Sequence, residues 1–223
     1  MEILHLDDAL LVLNKPSGLP VLPEGWDKDA PYLVKMLEEQ YGKIWVVHRL
    51  DKITSGVMVF ARNAEAHRAL NHQFEYHEVR KIYHAIANGV PQWDEKIAKH
   101  PLRVNVGHRH RTIVDAKMGK PAETRFKVLI RYPAHALLEA QPVTGRTHQV
   151  RVHAYALGFP LLGDALYGAL DSGLVARPAL HAYSLTLRLP KADNWSTNTE
   201  GWAEKTFASP YPEDFQAALN IIP

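Results

Sequence analysis

The chain has 223 residues, 46% of them hydrophobic and 22% charged, with no cysteine and a formal net charge of +2. This ordinary globular composition can bury a core unaided, and it excludes a disulfide scaffold, cysteine-bound zinc, an iron–sulfur cluster and a thiolate nucleophile. Residues 96–131 hold ten Lys and Arg against Asp115 and Glu123 alone, a local surplus that points to a polyanionic partner.

At the N-terminus Asp7 and Asp8 interrupt two apolar runs, 3–6 and 10–14, and stand where an export signal would be basic. They predict a β-hairpin in a soluble, cytoplasmic protein with no membrane contact. After a Pro- and Gly-rich turn, Asp29 ahead of Pro31 predicts an N-cap. Tyr32, Leu33, Met36, Leu37 and Tyr41 then form one apolar helical face until Gly42 ends it. Runs 44–47 and 57–61 read as buried strands around a polar turn. Asn63 predicts the cap of a second helix ending near Tyr76, followed by a strand over 82–87 that Gly89 closes.

The basic stretch carries His108, Arg109, His110 and Arg111 at a tip that reads as an exposed loop between strands, either resting on phosphates or simply solvated. Two histidines with no third ligand at recognisable spacing do not make a metal site. Runs 125–132 and 136–141 predict a strand pair, 147–157 a short helix stopped by Gly158, 180–189 a last strand and 210–220 a terminal helix. Residues 194–209 read as a loose connector, in which Asn194-Trp195-Ser196 matches a glycosylation acceptor by chance. Strands outnumber helices without the regular alternation of a parallel sheet. The fold class is therefore α+β, a mixed, mainly antiparallel sheet with flanking helices, in a single domain over 1–223.

No dinucleotide-binding glycine motif, P-loop, zincin motif or nucleophile elbow occurs. Three polar clusters remain. In the first, residues 48–56, Arg49 and Asp51 share a face of an extended strand and either pair there or line a cleft, and Thr54-Ser55-Gly56 is either a turn or part of that cleft. In the second, residues 144–153, Thr147, His148 and Arg151 lie on one side of a helix. They are either a solvated basic face or a cation and hydrogen-bond donors set opposite a carboxylate. In the third, Tyr83 either packs in the core or presents its ring and hydroxyl to the same cleft.

Taken in order, HRLDKITSGVMVFAR from His48, KIYHAIANG from Lys81, VTGRTHQVRVHAYALGFPLLGDALYG from Val143 and RPALHA from Arg177 closely resemble the motifs of the RluA-type family of pseudouridine synthases. The opening LDDALLVLNKPSGLPV resembles that family's first sheet motif, so the resemblance covers residues 6–189. His48 ahead of Arg-Leu-Asp points to this family over its sister group, where Gly usually stands. Ile53 departs from a usually polar or acidic position, and His84 and Asn88 from usually aliphatic ones. The family often carries an appended N-terminal RNA-binding domain. Here the sheet motif begins at the start of the chain, which implies that the catalytic domain grips RNA itself.

The resemblance implies a pseudouridine synthase fold with a central catalytic cleft, and a monomeric isomerase that uses neither cofactor nor metal on structured RNA, tRNA and/or rRNA. By the resemblance Asp51, Tyr83 and Arg151 are catalytic. Asp51 attacks the sugar, adds to the base or takes a ribose proton, three routes that the sequence leaves open. An unperturbed aspartate, with a pKa of about 3.9, is ionised at neutral pH, but burying its charge is costly unless a cation faces it. Arg151 suits that place: at ~4 Å and an effective dielectric near 20 such a pair gains about 4 kcal/mol.

Tyr83 is then the ring that stacks on uracil, a contact of about 1–3 kcal/mol per base, and assists loss of the C5 proton. Leu180 packs on the other side of the pocket. A paired uridine must first be flipped out, at a cost of roughly a few kcal/mol, with Arg49 as the wedge that fills the gap. His48, Thr147 and His148 complete the substrate site, and Arg109 and Arg111 hold flanking backbone. Two other readings compete. One is a non-catalytic RNA-binding or RNA-folding module, for which joint retention of Asp51, Tyr83 and Arg151 has no use. The other is a sugar hydrolase with Asp164 as its second carboxylate.

Overall fold

The computed structural model describes residues 1–24, 30–107, 111–168, 173–191, 195 and 201–221. In chain order its elements are β1 (Glu2–Leu6), β2 (Leu10–Lys15), α1 (Leu33–Tyr41), β3 (Trp45–Val46), β4 (Ser55–Ala61), α2 (Ala64–Glu75) and β5 (Arg80–Asn88). There follow β6 (Glu95–Ala98), β7 (Leu102–Val106), β8 (Arg111–Val114), β9 (Thr124–Arg131) and β10 (His135–Pro142). The chain ends with α3 (Gln149–Ala156), β11 (Leu180–Leu189), β12 (Ala203–Ala208) and α4 (Glu213–Ile221). Its contacts define two compact units, Met1–Arg80 with Ala182–Pro210, and Lys81–His181 with Tyr211–Pro223. The α+β class and the mainly antiparallel pairing expected from the sequence are both observed. Among the described residues no helix is long and apolar enough to cross a membrane.

In the first unit the strands run in the order β1-β2-β4-β11, with β3 on β4 and β12 on β11. The expected hairpin forms because the Asp7 carboxylate accepts the amides of Ala9 and Leu10 at 2.8 and 2.7 Å. Every residue of β4 is buried, which is why it reads as a continuous apolar run without alternation. Asn63 caps α2 as predicted, its side chain accepting the Ala66 amide at 2.8 Å. Gln73 fastens the far end of α2 by exchanging two 2.9 Å bonds with the backbone of Arg188 in β11.

Three expectations for this unit need correction. Helix α1 starts at Leu33 behind Tyr32, whose side chain makes no cap bond, and Asp29 lies outside the described residues. The Leu33 and Val34 amides are instead taken by the carbonyls of Pro20 and Val21 at 2.9 and 3.2 Å, so the preceding loop does the capping. The buried stripe of α1 is only Leu33 and Leu37, with Met36 left 43% exposed. The loose connector contains β12, which pairs with β11 from Ser184↔Ala208 to Leu189↔Ala203. Phe207 alone is buried in it, so no alternating pattern announces the strand.

The second unit has the strand order β5-β10-β9-β6, with β7 and β8 forming a two-stranded sheet of their own. Tyr83 opposes Ala140 in the β5/β10 register. Helix α3 contributes Val150 and Ala154 to a cluster with Ala85, Ala87, Phe126, Leu138 and Leu161. Helix α4 brings Phe215 and Ala218 against Ile86, Leu137 and Leu162. Its first turn is held by Arg177, which grips both carboxylate oxygens of Asp214 at 2.6 and 2.9 Å.

Candidate active site

The loop between β3 and β4 carries His48, Arg49 and Asp51. Arg49 is exposed, Leu50 is buried and Asp51 is half-buried. His48 is anchored inward: its ring stacks on Phe74 at 4.6 Å between centroids, and its Nε2 accepts the Val59 amide at 3.1 Å. Beneath the loop lies Lys15, which is 0% exposed. Its Nζ donates to the carbonyls of Pro16, Leu19 and Lys52 at 2.7, 2.8 and 3.1 Å. A buried ammonium is tolerable only with such partners, and these three carbonyls belong to the two loops it joins.

Further bonds tie the same loops together. The Ser17 hydroxyl donates to the Ile53 carbonyl at 2.8 Å, and the Gly18 amide to the Lys52 carbonyl at 2.8 Å. The Thr54 amide turns back to the Asp51 carbonyl at 3.0 Å. The main chain on the C-terminal side of Asp51 is thus fixed by its own carbonyls, and atypical Ile53 serves through a carbonyl that any residue supplies. Thr54-Ser55-Gly56 is not a turn, since β4 begins at Ser55. Gly56, at φ 119°, passes so close to β11 that a Cβ would stand 2.3 Å from the Ala182 carbonyl oxygen, which admits only glycine.

In the second unit Arg151 is 2% exposed and forms a two-pronged pair with Asp164, Nε to Oδ2 at 2.7 Å and Nη2 to Oδ1 at 2.8 Å. Its guanidinium also lies over the Tyr167 ring, 5.0 Å from the centroid. The Tyr167 hydroxyl accepts the Thr112 amide at 2.9 Å and bonds His148 Nδ1 at 2.9 Å. Burial pushes the Tyr167 phenol pKa up, so it stays protonated. This arrangement removes the hydrolase reading. Asp164 is 0% exposed with both oxygens engaged by Arg151, and a carboxylate so held cannot activate a water.

The shared helical side expected of Thr147, His148 and Arg151 does not form. Helix α3 starts only at Gln149, and His148 precedes it in the left-handed region at φ 55°. The cause is Gln149, whose Oε1 accepts the Arg146 amide at 3.0 Å and the Thr144 hydroxyl at 2.7 Å. Its Nε2 donates to the Glu123 carbonyl at 2.9 Å and Thr124 Oγ1 at 3.0 Å. One buried amide thereby holds residues 144–146 as a loop against the Glu123 carbonyl and the Thr124 hydroxyl. Tyr83 is half-buried and packs on the cluster that contains Leu180, so those two expected site residues share one apolar surface.

Of the basic stretch, Lys99 and Arg125 pair with Glu123, each at 3.2 Å, Arg103 with Asp115 at 3.5 Å, and Arg131 with Asp94 at 2.7 Å. Arg111 is exposed at the start of β8, whereas Arg109, His108 and His110 lie outside the described residues. Among the described residues no three His, Asp or Glu side chains come together as a metal ligand set. Sequence reasoning missed Lys15, Gln149 and Tyr167, and saw Asp164 in the wrong role. Lys15 had a signal, as a lysine continuing the buried run 10–14, while the partners of the other three lie beyond any local pattern.

The RNA pseudouridylate synthase family profile matches residues 9–156. The chain is 40% identical over 198 residues to the dual-specificity RNA pseudouridine synthase RluA of Vibrio vulnificus (strain CMCP6), covering 86% of this chain and 79% of that protein. It is 37% identical over 239 residues to the ribosomal large subunit pseudouridine synthase D of Neisseria meningitidis serogroup A, covering all of this chain but spanning only 61% of that longer protein. Among solved structures it resembles human RNA pseudouridylate synthase domain containing 4, with a TM-score of 0.76 and 28% identity over 98% of this chain and 92% of that one.

Proposed function

The chain belongs to the RNA pseudouridylate synthase family and by that membership is an isomerase, and from this premise we propose that it converts uridines of tRNA or rRNA to pseudouridine with Asp51 as the catalytic carboxylate. The N1–C1′ bond breaks, the base turns, a C5–C1′ bond forms, and loss of the C5 proton with protonation of N1 leaves an isomer of the starting nucleotide. Attack on the sugar, addition to the base and abstraction of a ribose proton all require Asp51 ionised. The observation that carries the reading is a half-buried Asp51 whose following main chain is locked to a second loop by Lys15 and Ser17. Such locking sets a carboxylate in place before substrate arrives.

Tyr83 stacks on the uracil and Leu180 gives the apolar wall, consistent with their common cluster. Arg151 supplies cationic donors to the chemical step. Its pair with Asp164 fixes the plane of the guanidinium and uses two of its five N–H groups. Arg49, exposed beside Asp51, fills the gap left by the flipped base. Arg111 meets phosphate, as does Arg109.

The test is Asp51→Asn, which keeps the shape of the side chain and removes its charge. Pseudouridine formation on total tRNA and rRNA, read by mass spectrometry, is expected to fall by at least about a thousandfold with RNA affinity retained. Turnover within tenfold of wild type overturns the assignment. Mapping pseudouridine in cells with and without the gene identifies the uridine.

A further inference from the structure

We propose that a groove in the second unit, between the β7 strand with its neighbouring turn and the 145–147 loop, binds a single phosphodiester of the RNA substrate, with Lys120 and Arg146 as its cations. This rests on the reading of the protein as an RNA-modifying enzyme and adds a place where the RNA backbone is gripped. The groove, about 300 Å³, is lined by Arg103, Val104, Met118, Lys120, Arg146 and Thr147 among others, and no acidic side chain lines it. That volume is at the small end of ligand clefts, suited to one nucleotide unit and not to a duplex.

Both walls are built before any ligand arrives. On one side the turn 115–120 folds back on β7: the Asp115 carboxylate accepts the amides of Lys117 and Met118 at 3.0 and 2.9 Å, and Lys120 and Leu102 exchange backbone bonds at 2.9 Å each. Gly119 makes this possible, since a Cβ there would stand 2.3 Å from the Asp115 carbonyl oxygen. On the other side Gln149 holds the Arg146 amide, and Arg146 Nε donates to the Pro121 carbonyl at 3.3 Å. Arg103 shares its charge with Asp115, whose carboxyl is held low first by the Met118 amide and then by that of Lys117. Lys120 and Arg146 therefore carry the net positive charge of the groove.

The apolar parts of the lining choose among anions. Met118 is 65% exposed and Val104 41%, a soft surface of the kind on which a ribose or base rests. The Thr147 hydroxyl adds a group that both donates and accepts, as a ribose hydroxyl requires. Two cations, one hydroxyl and an apolar edge within one nucleotide's volume match the alternation of phosphate, sugar and base along a single strand.

The test compares Lys120→Ala, Lys120→Arg and a surface control, Lys35→Ala on α1, using the whole protein and a structured RNA substrate. Lys120→Ala is expected to raise KM about fivefold with kcat within about twofold of wild type, and to flatten the dependence of log affinity on log salt by about 0.7. Lys120→Arg is expected to restore both. A neutral methylphosphonate, moved one phosphate at a time along the RNA strand, should at one position weaken wild-type binding about as much as the substitution and leave Lys120→Ala unaffected. Equal KM and salt slope for Lys120→Ala and Lys35→Ala overturn the proposal, as does a methylphosphonate effect at no position along the strand. Because RNA affinity is read directly, the groove is judged even if the wild-type protein forms no pseudouridine, an outcome that would instead overturn the functional reading.

Discussion

The Asp51 loop and the Arg151 region are stabilised in opposite ways. Around Asp51 the bonds are made by main-chain carbonyls of Pro16, Leu19, Lys52 and Ile53, converging on Lys15 and Ser17. Around Arg151 they are made by side chains: Asp164, Tyr167, His148 and Gln149 each have a named partner. In the first region identity matters at few positions, because any residue offers a carbonyl. In the second nearly every side chain is committed, because a buried charge needs one particular counterpart.

The largest effect that distinguishes the two regions is expected at the buried ion pair. Arg151→Met leaves the buried Asp164 carboxylate without the guanidinium that engages both its oxygens, Asp164→Leu removes the carboxylate that engages a buried guanidinium, and each is expected to cost about 3–5 kcal/mol in urea denaturation. The double substitution should recover most of that stability and still be inactive. Single losses under about 1 kcal/mol would mean that the region is not held by this pair.

Next comes Lys15→Met, which strips a donor from three carbonyls and is expected to cost about 3 kcal/mol. It should also speed hydrogen exchange at the Gly18 and Thr54 amides and lower kcat more than RNA affinity, since the loop bearing Asp51 loosens. Unchanged exchange would show that the loop holds itself.

A smaller effect depends on pH and falls on the second unit. Burial pushes His84 from 6.5 down to about 4, and burial likewise lowers His153. The unfolded chain takes up these protons near pH 6.5 and the folded unit only at lower pH, near 4 for His84, so stability is full above 6.5 and the His84 share is lost as pH falls towards 4. His84→Gln, which still offers a partner to the Tyr211 hydroxyl, should flatten that decline. Denaturation midpoints at pH 7 and 4.5 check this, and an unaltered slope would assign the decline to other groups.

Smallest in stability is Arg49→Ala, expected within about 0.5 kcal/mol because the side chain is exposed. Its effect belongs to turnover: single-turnover rates should fall on a uridine held in a stem and recover on one already unstacked. Equal loss on both RNAs would move Arg49 from flipping to chemistry.

Much of this was legible in the residues themselves. Asn63 marked the start of α2, the apolar run marked β11 residue for residue, and the order of polar clusters identified the family before any coordinates. The strands β6 and β12 were not legible, since their side chains are mostly exposed and give no alternation, whereas β7 and β8 were legible only as unbounded strands flanking the basic tip. The left-handed His148 was hidden because a glutamine one residue on reaches back to the Glu123 carbonyl and the Thr124 hydroxyl.

What the sequence determined by itself is set within a few residues: the Asn63 cap, apolar periodicity, and the motif carrying Asp51. What only the tertiary structure decided is the partner of each buried polar group. Lys15 meets a carbonyl 37 residues away, Gln149 one 26 residues away, and Arg151 a carboxylate 13 residues away. The physical reason is that a side-chain cap such as that of Asn63, or an apolar stripe, is satisfied by its own turn of chain. A buried charge must be met by whatever the chain's path brings to it, and that path follows from the packing of both units' apolar residues and from no single segment.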